Sequence, residues 1–348
     1  MNRTATMKDV ARKAGVSTAT VSHVLNGTRP VGSVLRDRVR QAVAELGYRP
    51  NFIARSLRRK GSGAVGVILI DDTNPFFSES TRGVKDAALE NGYSVLVCNS
   101  EGDPDRENEF LELLAEKQVE GVILFNVRDS NLREAAGRRL AVPVVLVDRD
   151  GASRGMDSVV VDHYAGGMDA MEHLLSLGHG RIACIAGPSN STPALLRLRA
   201  YANALRRAGI PYDKSLVYRG DFRSESGYAA IPFLFSDGKL PTALFAFNDL
   251  MAFGAITALA ERGLRIPEDV SVVGYDDILL SSFFNPPLTT VAQPKKEMGR
   301  AAFGLLLDRI NDESLPARSL RMNARLVVRK STASPGASKG GDGSGCMR

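Results

Sequence analysis

The N-terminal region contains the stretch Lys8-Asp-Val-Ala-Arg-Lys-Ala-Gly-Val-Ser-Thr-Ala-Thr-Val-Ser-His-Val-Leu-Asn-Gly27, and its pattern decides the fold of this region. Small or apolar side chains recur on one helical face, at Met7, Val10, Ala11 and Ala14. Thr6 suits the N-cap of this first helix, and Gly15 interrupts it. Ser17 can cap a second helix over residues 18–25, which Asn26 and Gly27 end. Two short helices joined by a tight glycine turn predict a helix-turn-helix.

A third amphipathic helix and a concentration of positive charge complete this picture. Residues 33–46 carry apolar positions that we expect to close a three-helix core, at Leu35, Val39, Ala42, Val43 and Leu46. Residues 1–60 hold thirteen Lys and Arg against three acidic residues, a charge of +10, although the whole chain carries only +6. A small, strongly basic unit of this kind is typical of polyanion binding. We therefore expect duplex DNA as a partner.

The second helix of a helix-turn-helix enters the major groove, where its outward side chains reach base edges. We expect base contacts from Thr18, Ala19, Ser22 and His23. Ser17, Thr20 and Asn26 are expected to bind phosphates, which position a protein without reading sequence. A helical hairpin that binds another protein is the alternative interpretation, and the positive charge disfavours it.

From Ala64 onward, short apolar runs alternate with amphipathic helical patterns, and the alternation occurs twice. This predicts an α/β fold with two lobes, each built on a doubly wound parallel sheet. Ligands bind such sheets at the carboxyl ends of the strands, and a cleft between two lobes can close on a ligand.

Polar and aromatic side chains follow the predicted strand ends and form a candidate binding site. Its members are Asn74, Phe76, Phe77, Asp148, Arg149, Arg197, Phe222, Asn248, Asp249, Tyr275, Asp276 and Gln293. Aromatic faces suit the C–H sides of a sugar, and carboxylate, guanidinium and amide groups suit its hydroxyls. Taken singly, several have a structural interpretation: Asp148 and Arg149 as a surface pair, Phe76 as core, Asn248 as a helix cap.

The quoted stretch resembles the DNA-binding headpiece of the lactose-repressor (LacI/GalR) family, and His23 makes it similar to the subgroup that contains the purine and ribose repressors. The following stretch, Tyr48-Arg-Pro-Asn-Phe-Ile-Ala-Arg-Ser-Leu57, resembles the hinge of the family. The resemblance implies a hinge helix that folds on DNA, with Leu57 as the wedge in the minor groove. Arg55 and Arg58 suit flanking phosphates. Leu57 as an ordinary apolar face of a short helix is the alternative.

The rest of the chain resembles the periplasmic-binding-protein-like core of the same family and the periplasmic ribose-binding proteins. The resemblance implies that ten of these residues, all except Asp249 and Tyr275, contact a pentose. Ser191 stands where purine-responsive members carry an arginine, which favours ribose or a similar pentose over a purine. The implied function is a ligand-controlled transcriptional repressor, induced if the ligand is a sugar and co-repressed if it is a purine. A regulator of another sugar remains open.

The predicted organisation has four parts. Residues 1–49 form the headpiece, 50–62 the hinge, 63–330 the ligand-binding and dimerisation core, and 331–348 a Gly- and Ser-rich disordered tail. In the core, the first lobe takes residues 63–162 and 292–322, and the second lobe takes 163–291 and 323–330. The tail has no apolar heptad, which favours a homodimer over a tetramer.

Two further classes of protein are disfavoured by the sequence. No P-loop or HExxH motif is present, so we expect no enzyme and no cofactor or metal. An apolar run long enough to cross a membrane is absent, as is the apolar segment of a signal peptide, and we expect a cytoplasmic protein rather than a transport-type binding protein.

Overall fold

The computed structural model describes residues 5–26, 29–48, 61–126, 142–151, 155–236 and 240–336. The chain divides into two compact units, Met1–Ser62 and Gly63–Arg348. The hinge residues Arg55, Leu57 and Arg58 lie outside the described residues, as does the side chain of Asn26.

The described residues of the first unit form three helices, α1 (Met7–Ala14), α2 (Thr18–Asn26) and α3 (Ser33–Leu46). Thr6 and Asp9 cap α1 reciprocally, since the backbone N–H of Asp9 donates to Thr6 Oγ1 and that of Thr6 donates to Asp9 Oδ2. Gly15 ends the helix with a φ of 64°, a conformation that suits a residue without a Cβ. The backbone N–H of Thr20 donates to Ser17 Oγ at 3.0 Å, which caps α2.

The core of this unit is small. Its buried members are Val10, Ala11, Ala14, Val21, Val39, Ala42 and Tyr48. Leu35, which the sequence pattern assigns to this core, is instead 37% exposed. Tyr48, beyond the end of α3, is buried in the core. The helical spacing of Leu35 was correct, but only the packing of α3 on α1 decides which of its side chains face inward.

The second unit contains two six-stranded sheets and seven α-helices in its described part. The helices are α4 (Pro75–Glu90), α5 (Pro104–Glu116), α6 (His163–Ser176), α7 (Thr192–Arg207), α8 (Ser224–Leu234), α9 (Asp249–Glu261) and α10 (Lys295–Asn311). The strands are β1 (Ala64–Leu69), β2 (Ser94–Asn99), β3 (Val122–Phe125), β4 (Val144–Val147), β5 (Asp157–Val161), β6 (Ile182–Ala186), β7 (Val217–Arg219), β8 (Ala243–Ala246), β9 (Ser271–Asp276), β10 (Thr289–Ala292), β11 (Ser319–Met322) and β12 (Arg325–Val327).

Each sheet belongs to one lobe. The first sheet has the order β11-β5-β4-β3-β1-β2 with parallel pairs throughout, and Gly66 of β1 pairs with Leu96 on one side and Val122 on the other. The second has the order β12-β10-β9-β8-β6-β7, in which only β12 runs antiparallel to its neighbour. The predicted α/β fold of a three-helix headpiece and two parallel-sheet lobes is confirmed.

The chain passes between the two sheets three times, after β5, after β10 and after β11. Because α10 follows the second crossing, it packs against α4 in the first lobe, where Gly83 and Gly299 let the two helices touch backbone to backbone. The crossings place residues 162–163, 293–295 and 323–324 between the lobes.

The C-terminal segment differs from the prediction of a disordered tail from Ser331 onward. Ser331 is fully buried, and its hydroxyl donates to the carbonyl oxygen of Val272 at 2.6 Å. His173 Nε2 and Thr332 Oγ1 lie 2.9 Å apart, and His179 Nε2 is 2.9 Å from the carbonyl oxygen of Ala333. The prediction was wrong for these three residues, because partners far away in sequence bind their polar groups. Residues 337–348 lie outside the described part.

None of the helices in the described ranges is both long and apolar enough to cross a membrane. Among those same residues, no group of three His, Cys, Asp or Glu side chains is arranged to hold a metal ion.

Candidate functional site

A cavity of about 390 Å³ lies between the lobes of the second unit. Ten of the candidate residues, all except Asp249 and Tyr275, line it: Asn74, Phe76, Phe77, Asp148, Arg149, Arg197, Phe222, Asn248, Asp276 and Gln293. They come from the carboxyl ends of strands in both sheets, from α7 and from the second crossing. The topology therefore brings together residues that are up to 219 positions apart, from 74 to 293. Whether they bind a ligand remains a prediction.

Unusual backbone conformations turn several of these side chains into the cavity. Asp148, Phe222 and Asp276 have φ values of 61°, 71° and 112°, in the region that residues with a Cβ rarely adopt. Such a conformation costs about 1–3 kcal/mol and persists only where the surroundings enforce it. Three residues with this conformation therefore line one cavity.

Two asparagines combine a structural role with a place in the cavity. Asn74 Oδ1 accepts from the backbone N–H of Phe76 at 3.0 Å and caps α4. Asn248 Oδ1 accepts from the N–H of Met251 at 2.9 Å and caps α9, while its Nδ2 donates to the carbonyl oxygen of Phe222 at 2.7 Å. The helix-cap interpretation of Asn248 is therefore correct and does not exclude a place in the site.

Arg197 is the most constrained cation of the cavity, with an exposure of only 3%. Its Nη1 donates to the carbonyl oxygen of Phe247, and its guanidinium carbon lies 3.6 Å from the centre of the Tyr275 ring. Nη2 is 3.9 Å from Asp276 Oδ1. The guanidinium is thus fixed before any ligand arrives, while its buried Nε has no hydrogen-bond partner among the described residues.

Asp276 is the buried acid opposite this arginine. Gln293 Nε2 donates to its Oδ1 at 2.7 Å, and Lys295 Nζ donates to its carbonyl oxygen at 2.7 Å. Burial nevertheless raises the pKa of Asp276 to about 7, because removal from water penalises the charged form more than Arg197 and Gln293 favour it. The proton on this carboxyl is therefore sensitive to any group that binds next to it.

Lys295 holds the backbone around Asp276. Its ammonium also donates to the carbonyl oxygen of Asp277 at 2.6 Å and lies 3.4 Å from Glu79 Oε2. Glu79 Oε1 in turn accepts from the backbone N–H of Leu279 at 3.3 Å. Because Lys295 and Glu79 belong to first-lobe helices, they tie that lobe to the end of β9 in the second.

Three phenylalanines contribute to the apolar wall of the cavity. Phe76 and Phe77 meet edge to face with ring centres 5.1 Å apart, so Phe76 belongs both to the core and to the cavity surface. Phe222 lies against Gly187, where a Cβ would overlap its ring. Gly187 is therefore required for the observed position of Phe222.

Sequence reasoning missed several residues of the cavity. Asn126 follows β3 directly and lines the cavity. Asp71 and Asp221, which stand two residues past the ends of β1 and β7, line it too. The same strand-end rule that selected the other residues would have found them. His163 and Lys295 are different, since neither lines the cavity and both act on residues that do. No local pattern distinguishes them from helix residues.

The described candidate DNA-binding side chains of the first unit extend from Ser17, before α2, to His23 in its last turn. Ser17, Thr18 and Ala19 are exposed, and Thr20, Ser22 and His23 are partly exposed. Val21, between them, is fully buried and anchors the helix in the core. The N-terminal turn of α2 therefore presents small polar groups outward, as a groove-binding helix requires.

Comparison with known proteins identifies both units. Residues 6–51 match the family model "Bacterial regulatory proteins, lacI family", and residues 171–332 match a periplasmic binding protein-like domain. The ribose operon repressor of Escherichia coli is 42% identical over 328 residues, which cover 94% of this chain and 99% of that protein. The HTH-type transcriptional repressor PurR of Vibrio atlanticus is 39% identical over 93% of this chain and 98% of its own length.

Solved structures give the same result. The lac repressor dimer bound to operator and an anti-inducer superimposes with a TM-score of 0.83 at 33% identity, covering 95% of this chain and all of that one. A LacI family regulator from Enterococcus faecium with bound ribose has a TM-score of 0.71 at 33% identity, covering 78% of this chain and 99% of its own. The chain belongs to the lacI family of bacterial regulatory proteins and is a transcriptional repressor of that family, not an enzyme.

Proposed function

We propose that the chain binds a pseudo-palindromic operator as a homodimer and releases it when ribose or a similar pentose occupies the cavity. The observation that carries this proposal is the meeting of ten candidate residues around one cavity of about 390 Å³. The cavity combines three phenylalanine rings with acids, guanidinium groups and amides, which is the complement of a sugar.

The charges around the cavity favour a neutral ligand. Six carboxyl groups line it, from Asp71, Glu101, Glu107, Asp148, Asp221 and Asp276. Among the described residues, three cationic side chains accompany them, from Arg149, Arg197 and Arg223. A phosphorylated sugar would bring further negative charge into a site that already holds an excess of it. An uncharged polyol fits better.

Two buried polar atoms are available to such a ligand. Gln293 Oε1 accepts no hydrogen bond, and Arg197 Nε donates none, within the part of the chain that the structure describes. Unsatisfied buried groups cost about 1–3 kcal/mol each, and a sugar hydroxyl can both donate and accept. Binding would remove both penalties.

The relatives support a pentose without excluding the alternative. The ribose operon repressor and the ribose-bound Enterococcus faecium regulator favour ribose. The similarity to PurR keeps a purine co-repressor as the second candidate. Against a purine stands Ser191, whose Oγ caps α7 at the cavity wall where purine-responsive members carry arginine.

An exposed apolar segment supports the homodimer. Leu279, Leu280 and Phe283 follow β9 in a short 3₁₀ turn, with exposures of 69%, 53% and 77%. Neighbouring exposed side chains of this kind mark association surfaces. The lac repressor relative is a dimer on its operator. We propose that this segment contributes to the contact between protomers.

The proposed DNA site combines Ser17, Thr18, Ala19, Thr20, Ser22, His23 and Asn26 with the hinge residues Arg55, Leu57 and Arg58. Ligand closure of the lobes would change the spacing of two paired headpieces and weaken DNA binding by a coupling of about 1–3 kcal/mol. A regulator of chromosomal DNA acts in the cytoplasm, and we propose that location.

The test uses the full chain. Duplexes selected from a random library should converge on a pseudo-palindrome, and their affinity should fall steeply with salt. Adding D-ribose should weaken binding, while ribose 5-phosphate should not. Calorimetry against ribose, hexoses, hypoxanthine and guanine then identifies the ligand. Tight hypoxanthine binding that strengthens DNA binding, with no response to any pentose, would establish the purine alternative instead.

A further inference from the structure

His163 is buried between the two lobes at the first crossing of the chain. It is the first residue of α6, directly after the N-cap Asp162, and its exposure is 2%. It does not line the cavity. Its two ring nitrogens nevertheless contact two side chains that do.

Each nitrogen reaches a different lobe. His163 Nε2 lies 3.1 Å from Asp148 Oδ1, at the end of β4 in the first lobe. His163 Nδ1 lies 3.1 Å from Arg197 Nη2, on α7 of the second lobe. The imidazole therefore bridges a cavity acid of one lobe and a cavity cation of the other.

The chemistry of the partners fixes the proton. A guanidinium group only donates hydrogen bonds, so Nδ1 must offer its lone pair to Arg197. Nε2 then carries the hydrogen and donates it to the Asp148 carboxylate. A proton on Nδ1 would face Arg197 and break that contact.

The surroundings agree with this assignment. Burial lowers the pKa of His163, against the opposing influence of Asp148, and Arg197 acts in the same direction as burial. The other groups that face the ring are Asp162 before it and the hydroxyl of Tyr275, which lies 3.4 Å from Nδ1. A neutral ring satisfies both charged partners.

From this geometry we infer that His163 is a positioning residue, which in its Nε2–H tautomer orients Asp148 and Arg197 together and so makes ligand recognition depend on both lobes at once. The inference rests on the proposed ligand site. It adds that His163, which does not line the cavity, orients two residues that do.

The first experiment needs no ligand. Long-range ¹H–¹⁵N correlation spectra of the full chain, assigned with His163→Gln, report the tautomer directly. We expect a neutral ring protonated at Nε2 at neutral pH. A ring protonated at Nδ1, or a charged ring, overturns the inference whether or not ribose binds.

The second experiment measures D-ribose binding by calorimetry. His163→Leu removes both hydrogen bonds to charged partners and should weaken binding about 10- to 100-fold. His163→Gln keeps one donor and one acceptor at similar separation, and it should recover binding to within about threefold of the wild type. His173→Gln on the same helix, far from the cavity, is the control.

The outcomes separate the two proposals. If His163→Leu binds ribose like the wild type, or if His163→Gln is as defective as His163→Leu, His163 is not a positioning residue. If the wild-type chain binds no pentose, the proposed ligand fails, and the tautomer alone then decides the inference. Thermal unfolding of each variant distinguishes lost recognition from lost folding.

Discussion

Replacing Lys295 by methionine tests how the strained end of β9 is held. The Lys295 side chain is 8% exposed, and its ammonium donates to the carbonyl oxygens of Asp276 and Asp277 at 2.7 and 2.6 Å. Both residues have positive φ, at 112° and 52°. Methionine retains the apolar stem and removes only the charge and the donors.

The expected magnitude follows from these contacts. Each hydrogen bond from a charged donor contributes about 1.5–3 kcal/mol, and the methionine avoids part of the cost of burying an ammonium. We expect the free energy of unfolding to fall by about 2–4 kcal/mol. For a unit of this size, the midpoint of thermal unfolding should fall by about 3–7 °C. Because Asp276 loses its anchor, ribose affinity should fall at least about tenfold.

Scanning calorimetry and ribose titration of the full chain measure both effects. Lys296→Met is the matched control, since Lys296 pairs with Asp86 on the surface and both side chains are well exposed. The control should leave both measurements unchanged. A Lys295→Met variant with the midpoint and ribose affinity of the wild type would refute the role that we assign to this ammonium.

Three further predictions follow from other parts of the structure. Gly187→Ala should displace the Phe222 ring and weaken ribose binding at least about tenfold by calorimetry, whereas Gly180→Ala, with open space around it, should bind normally. Burial raises the pKa of Asp276 to about 7; this carboxyl therefore contributes stability below its unfolded pKa, and that stability is lost as the pH rises through 7. A ribose hydroxyl that donates to this carboxylate favours its charged form, so ribose binding near pH 7 should release a proton from Asp276. Calorimetry in buffers of different ionisation enthalpy measures that proton, and finding no release would contradict the prediction. Ser17→Ala should cost about 1 kcal/mol of α2 stability, read as faster amide hydrogen exchange in α2 than in the control Ser33→Ala, whose side chain caps no helix.

The sequence by itself determined the helices that depend on interactions between residues close together in the chain. The helical spacing of Met7 to Ala14, the cap at Thr6 and the glycine at position 15 are interactions within four residues, and α1 begins and ends where they predict. The strand-end rule worked over longer range because parallel strands place all their carboxyl ends at one edge of a sheet. That is why most of the residues chosen at strand ends line one cavity, although Asp249 and Tyr275, chosen by the same rule, do not.

Only the tertiary structure decided the contacts and the burial that depend on residues far apart in the sequence. His163 bridges Asp148 and Arg197, 15 and 34 residues away, and nothing in its neighbours along the chain marks it for that position. Ser331 begins a Gly- and Ser-rich segment but is buried, because Val272 of the inner strand β9 supplies partners for its backbone and its hydroxyl. Leu35 has the spacing of a core residue but is exposed, because helix packing rather than periodicity selects the inward face. Local patterns fix which hydrogen bonds a segment makes with itself, whereas burial and pairing between segments are set only when the whole chain packs.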